Sequence, residues 1–106
     1  MQQAAVYQNY TDTDNNPAGG DFNSMGIAIT WQRGPLGRGE ARLEPNGAFV
    51  ETVIFAALQR IEYYQSTKFE CRENALAVTK LEEALHWLQA RTADRERRRV
   101  EGTHKL

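Results

Sequence analysis

Val78-Thr79-Lys80-Leu81-Glu82-Glu83-Ala84-Leu85-His86-Trp87-Leu88 places Val78, Leu81, Leu85 and Leu88 at steps of three and four. That spacing puts four apolar side chains on one face of an α-helix. The pattern extends outward to a helix from about Cys71 to Arg98. Upstream, Val50, Ile54, Ala57, Ile61 and Tyr64 recur at steps of four and three, which predicts another helix over about residues 49–66. Between them Ser66-Thr67-Lys68 is too polar and too short for anything but a tight connection, so the two stripes predict an antiparallel helical hairpin. At ~1.5 Å per residue the second helix is on the order of 42 Å long and the first roughly 27 Å. The second must overhang the first.

Ahead of the hairpin, Ile27 to Trp31 alternates Ile, Ile and Trp with Ala and Thr, the pattern of a half-buried strand. Gly34-Pro35-Leu36-Gly37-Arg38-Gly39 interrupts it, and Glu40 to Glu44 resumes the alternation through Ala41 and Leu43, which predicts a two-stranded ribbon. A ribbon is marginal alone and needs helices to pack on. Residues 1–24 are rich in Gln, Asn, Asp, Thr and Gly, with Pro17 and Gly19-Gly20, and are expected to be a mobile polar arm. Val6, Tyr7 and Tyr10 leave that arm able to dock on a partner subunit. Residues 25–106 then form the folded domain. Phe55, Tyr63, Leu76 and Trp87 fall off the two stripes, and so thin a hairpin buries little surface alone. The expected fold class is α+β, mainly α: a short N-terminal β-ribbon followed by a long helical hairpin, assembling as a symmetric homo-oligomer.

With 106 residues, 41% of them hydrophobic, the chain makes one small globular domain. No apolar run is long enough to span a bilayer, and the N-terminus lacks the basic and apolar blocks of a signal peptide, so a cytosolic location is expected. One cysteine, Cys71, allows no intramolecular disulfide and reads as a small packing residue; with only His86 and His104 beside it, no zinc site or cofactor is expected. A net charge of −1 argues against a nucleic-acid polymer as partner. The charge is uneven, however. Residues 1–24 carry Asp12, Asp14 and Asp21 and no base, whereas residues 91–106 set six Arg and Lys against Asp94, Glu96 and Glu101. That end suits a small anion.

Enzymatic readings find little support. There is no HExxH or GxSxG motif, and Glu82 and His86, four apart on one helix face, read as a solvated pair. The Gly34–Gly39 run lacks the Lys-Ser/Thr of a phosphate loop and reads as a hairpin turn, from which Arg33, Arg38 and Arg42 can cover a ligand. Nucleotide binding fits better: phosphates favour Arg, a base favours an aromatic face, and its polar edge favours an amide. Arg91 and Arg95 lie one helical turn apart, while Tyr64 ends the first helix and Asn74 begins the second. Two other accounts stay open: a basic helix C-terminus complements the macrodipole, and Tyr64 belongs to the apolar stripe. Asn74 and Arg91 are 17 positions apart on one helix, roughly 25 Å. One nucleotide cannot touch both. If all four residues serve one site, Tyr64 and Asn74 come from one subunit and Arg91 and Arg95 from another, packed antiparallel.

The stretch from Phe69 to Leu88, continuing through Arg91-Thr92-Ala93-Asp94-Arg95 and Val100-Glu101-Gly102-Thr103-His104, resembles the helical hairpin shared by phage Thoeris anti-defence sponges and anti-CBASS cyclic-nucleotide sponges. Trp31-Gln32-Arg33-Gly34-Pro35-Leu36 and Asn46-Gly47-Ala48 are similar to the Thoeris branch, and the resemblance covers roughly residues 27–104. It implies a non-enzymatic protein of the host cell cytoplasm, dimers assembled into a hexamer, that sequesters glycocyclic ADP-ribose uncleaved and holds cyclic oligonucleotides of CBASS at a separate site. It also implies ligand-binding roles for Tyr64, Asn74, Arg91 and Arg95. The chain has Tyr64 where a relative has Phe, and Phe49-Val50 where the family often places Thr-Asn at the helix start. The alternative from another class is an oligomeric helical adaptor that binds a host or phage protein through Phe55, Tyr63, Leu76 and Trp87.

Overall fold

The computed structural model describes residues 1–106, with strands β1 (Ala5–Thr11), β2 (Pro17–Ser24) and β3 (Ile27–Thr30), a 3-10 turn at Gly39–Ala41, and helices α1 (Val50–Gln65) and α2 (Arg72–Arg97). Two units result. One comprises residues 1–49 together with 100–106, and the other residues 50–99.

In the first unit the sheet has three antiparallel strands in the order β1-β2-β3, which corrects the expected two-stranded ribbon. Both additional strands come from the polar segment at residues 5–24, expected to be an arm without regular structure. Local turn chemistry and cross-strand pairs make the difference. Asp12 accepts from the backbone N–H of Asp14 and of Asn16, each at 2.9 Å, and Asn15 adopts φ 62°, so Asp12-Thr13-Asp14-Asn15-Asn16 folds back by an Asx-type turn. Those hydrogen bonds, the one from Asn16 foremost, hold the Asp12 carboxyl below its ordinary pKa. Tyr7 then pairs with Phe22 across the strands, their rings stacked with centroids 6.2 Å apart, and Phe22 pairs with Ile29 on β3. A two-residue turn at Met25-Gly26 joins β2 to β3.

Beyond β3 the chain departs from the ribbon expectation again: residues 40–44 form no strand. The Gly34–Gly39 run opens an irregular loop, which Leu43 closes by donating to the carbonyl of Leu36 at 2.6 Å. The return segment lies against the end of β3, with Trp31 and Ala48 forming a parallel bridge. Asn46 accepts from the Arg33 N–H at 2.8 Å and donates to the Arg33 carbonyl at 3.2 Å, while Gln32 accepts from the Asn46 N–H at 2.8 Å. Gly47 has to be glycine, because a Cβ there would lie 2.5 Å from the backbone carbonyl of Trp31. The C-terminal segment returns to the same loop. Glu101 takes a bidentate fork from Arg42 at 2.6 and 2.9 Å, its carbonyl accepts from Arg38 at 3.0 Å, and Gly37 donates to the Gly102 carbonyl at 2.7 Å.

The second unit is the expected helical hairpin. α2 starts at Cys71, whose thiol accepts from the Asn74 N–H at 3.4 Å; the cysteine is an exposed N-cap, which corrects its reading as a packing residue. Gln65 clips the turn by accepting from the Cys71 N–H at 2.9 Å and donating to the Cys71 carbonyl at 3.1 Å. Val78, Leu81, Leu85 and Leu88 are half-buried as the stripe predicts. On α1 the buried face centres on Leu58 with Ile54 and Ile61, whereas Ala57 and Tyr64 are exposed. α2 ends at an αL residue, Arg99 with φ 60°, whose N–H donates to the Glu96 carbonyl. Leu58, 6% exposed, is the one buried apolar side chain of the whole chain.

Candidate functional site

The four candidate residues fall in two groups, both on the hairpin unit. Tyr64 and Asn74 flank the tip, one in the last turn of α1 and the other in the first turns of α2. Asn74 is half-buried on the stripe side of α2, and Tyr64 is 39% exposed. Arg91 and Arg95 sit four residues apart near the other end of α2, Arg91 exposed and Arg95 half-buried. Because α2 runs unbroken from Arg72 to Arg97, the roughly 25 Å between Asn74 and Arg91 is a rigid separation within one chain.

At the tip the structure adds a residue that the sequence reading missed. Arg60, one turn before Tyr64, lays its guanidinium 5.0 Å from the Tyr64 ring centroid and 5.1 Å from that of Tyr63, and its Nε donates to the Tyr64 hydroxyl at 3.2 Å. The hydrogen bond to Tyr64 raises the Arg60 pKa still further above its ordinary value. Lys68 stands over the Phe69 ring at 5.4 Å in the connecting turn. The tip therefore presents aromatic faces with cations against them, a surface able to take a planar base and an anionic group together. Arginine four residues ahead of a tyrosine on a helix is the signal that could have found it.

At the basic end, Asp94 binds Arg97 at 2.7 Å and Arg98 at 3.0 Å, and the hydrogen bond from Arg97 is the main cause of its lowered pKa. Arg97 and Arg98 are thereby drawn onto a neighbouring carboxylate. Of the loop arginines, Arg42 and Arg38 are engaged with Glu101, whereas Arg33 borders a cleft of the sheet unit. Glu82 and His86 form no ion pair; His86 instead meets Trp87 edge-on, with centroids 5.3 Å apart. No group of three or more His, Cys, Asp or Glu residues is placed to hold a metal, and no helix is long and apolar enough to cross a membrane.

The sequence profile described as "Acb2/Tad1, hairpin domain" matches residues 24–93. The protein named Thoeris anti-defense 1, of Bacillus phage SBSphiJ7, is 47% identical over 85 residues, which cover 80% of this chain and 57% of that relative. The chain thus spans little more than half of the relative's length. The matched span takes in β3, the loop fastened by Asn46, and most of the hairpin.

Proposed function

The chain belongs to the Acb2/Tad1 hairpin-domain family, and from that premise we propose that it is a phage anti-defence sponge, which binds glycocyclic ADP-ribose signals in the host cell cytoplasm without cleaving them and so inhibits Thoeris immunity. Cyclic oligonucleotides of CBASS occupy a separate site. The observation that carries the reading is the 47% identity to Thoeris anti-defense 1 over 85 residues, beside a hairpin of the expected form that carries Tyr64, Asn74, Arg91 and Arg95. Arg91 and Arg95 grip the phosphates, Tyr64 stacks on a base with Arg60 against it, and Asn74 reads a polar edge. No covalent step is needed, because a sponge acts by mass action.

In this proposal the two halves of the site belong to different subunits, since one nucleotide cannot span the separation along α2, and the exposed surface supports an oligomer. The chain exposes 8608 Å², against about 6,000 Å² for a folded monomer of its mass. Even two independent bodies of half that mass would expose only about 7,200 Å² in all. Phe55, Tyr63, Leu76 and Trp87 are each 46–68% exposed on the hairpin, a supply of apolar surface for a symmetric interface. Dimers built into a hexamer are the assembly proposed.

Incubating the purified protein with the signal, removing excess, heating, and chromatographing the supernatant tests the proposal. Release of intact signal is expected. Fragments would make the protein a hydrolase, and no retained signal would favour a helical adaptor that uses the same exposed aromatics on a protein partner. Arg91→Ala and Arg95→Ala should each weaken binding by about 1.5–3 kcal/mol, with native mass spectrometry showing the assembly unchanged.

A further inference from the structure

β1 is an edge strand, and its outer side carries none of the devices that keep such edges from pairing. The sheet order β1-β2-β3 leaves it one neighbour. Its backbone orientation follows from two contacts: the Ala4 carbonyl accepts from the Ser24 hydroxyl at 2.8 Å, and the Gln8 carbonyl lies where a Cβ on Gly20 would collide with it. Even-numbered residues therefore turn their backbone groups toward β2, and because successive residues of a strand alternate, Ala5, Tyr7 and Asn9 turn theirs outward. Those N–H and C=O groups meet no partner within the chain. Sheet edges are ordinarily blunted by Lys, by Pro or by a bulge. Ala5-Val6-Tyr7-Gln8-Asn9-Tyr10-Thr11 has no charge and no proline, all of it but Ala5 is exposed, and its one irregularity falls after Asn9, beyond the outward residues.

We infer that this edge pairs antiparallel with the same edge of a second copy, about a two-fold axis through Tyr7. Only outward-turned residues can exchange hydrogen bonds across it, so the register is restricted to odd-numbered partners. With Tyr7 opposite the partner's Tyr7, Ala5 meets the partner's Asn9 and Asn9 the partner's Ala5, and every outward N–H and C=O is satisfied. A slip of one register step either way leaves an end residue of each strand unpaired. The contact is isologous, as a two-fold requires. The side chains agree with it. Tyr7 stacks on Phe22, which pairs with Ile29, so the three share one face of the sheet, and joining two sheets at Tyr7 continues that apolar face across the axis. No like charges meet, since residues 1–11 carry no charged side chain. β1 lies ahead of the span shared with the family, and the pairing uses none of the four hairpin residues assigned above. It is a two-fold contact separate from any made by the hairpin aromatics.

Cross-linking of the full chain tests both the edge and its register. In this register Val6 lies directly opposite the partner's Gln8 as a non-hydrogen-bonded pair, with Cα atoms about 4.5 Å apart, inside the disulfide range of about 4.4–6.8 Å. Two copies of Val6, or two of Gln8, are offset diagonally by about 7–8 Å, too far to bridge. Val6→Cys and Gln8→Cys chains, each also carrying Cys71→Ser, are mixed under reduction and then oxidised. Intact-mass spectrometry should find the mixed disulfide in at least about tenfold excess over either homodisulfide. Adding Ala5→Lys and Asn9→Lys to both chains sets like charges opposite each other at both ends of the pairing, and should cut the mixed disulfide about fivefold or more. Ala5→Lys with Asn9→Glu sets opposite charges there and should keep it. Equal amounts of the three disulfides, a predominance of either homodisulfide, or no cross-link at all overturns the pairing. So does a mixed disulfide that the like charges leave unchanged or that the opposite charges abolish. None of these readings involves the signal, so the signal-binding proposal stands or falls separately, by retention of its ligand.

Discussion

Mixing two inactive variants tests whether the signal pocket is shared between subunits. Asn74→Ala removes the amide at the hairpin tip and Arg91→Ala removes a guanidinium at the far end of α2; each should weaken binding by at least roughly tenfold, the scale of one charge-assisted or base-edge contact. The two positions are 17 residues apart on one unbroken helix, roughly 25 Å, so a pocket containing both draws on two chains. In a two-fold dimer of one variant with the other, one pocket loses both residues and the other regains both. Random exchange at equal concentrations makes about half of the dimers mixed, and half of their pockets whole, so about one quarter of the parent capacity should return at parent affinity. Titration calorimetry reads both numbers after co-refolding, and native mass spectrometry verifies the mixed dimers. Mixed dimers with no recovered sites would refute the shared pocket and remove at least one of the four residues from it.

Tyr64→Phe keeps the ring and the contact with the Arg60 guanidinium but loses the hydroxyl that accepts from Nε. Its signal affinity should stay within a few-fold of the parent's, whereas Tyr64→Ala should lose about 1–3 kcal/mol, the scale of base–aromatic stacking; equally severe losses in calorimetry would put the hydroxyl at the centre of recognition. Gly47→Ala drives a methyl into the Trp31 carbonyl and the Gln32 nitrogen, and should cost about 1–3 kcal/mol of stability. An unchanged thermal midpoint by circular dichroism would show that the 31–33 and 46–48 segments are not locked together. Asp12 has a folded pKa below 3.8, so its turn contributes fully above that value and is lost as the pH falls through the lowered one. The Asp14 and Asn16 amide resonances should report a midpoint below 3.8; a midpoint at or above it would remove the hydrogen bonds to Asp12.

The hairpin was legible because period decides a helix: Val78, Leu81, Leu85 and Leu88 mark a face whatever lies beyond it. The stripe of α1 was displaced by one position, from Ala57 to Leu58, since a run with apolar residues on more than one side does not say which side faces its partner. β1 and β2 were missed for a different reason. Their stability comes from pairs such as Tyr7 with Phe22, distant in sequence, and from the Asp12 turn, while their composition resembles a solvated tail. Glu40 to Glu44 showed the reverse, with alternation but no strand, because Gly37 and Arg42 are tied to residues 101–102. At the site, the family resemblance, with residue types and spacing beside it, pointed to Tyr64, Asn74, Arg91 and Arg95; the spacing of Arg60 to Tyr64 is equally visible in the sequence, but many such pairs are solvated, and only the fold shows the guanidinium resting on the ring.

The clasp between Arg42 and Glu101 joins residues 59 positions apart. At ~5–20 residues per second, a ribosome takes on the order of 3–12 s to supply the second partner after the first. The β1-β2-β3 meander and the hairpin need only near neighbours and close within microseconds to milliseconds. During synthesis the Gly34–Gly39 loop, drawn together locally by Leu43 on Leu36, therefore lacks its fastening to residues 101–102 until those are made. Closure of that loop is timed by translation, and the turn at residues 100–103 is its latch.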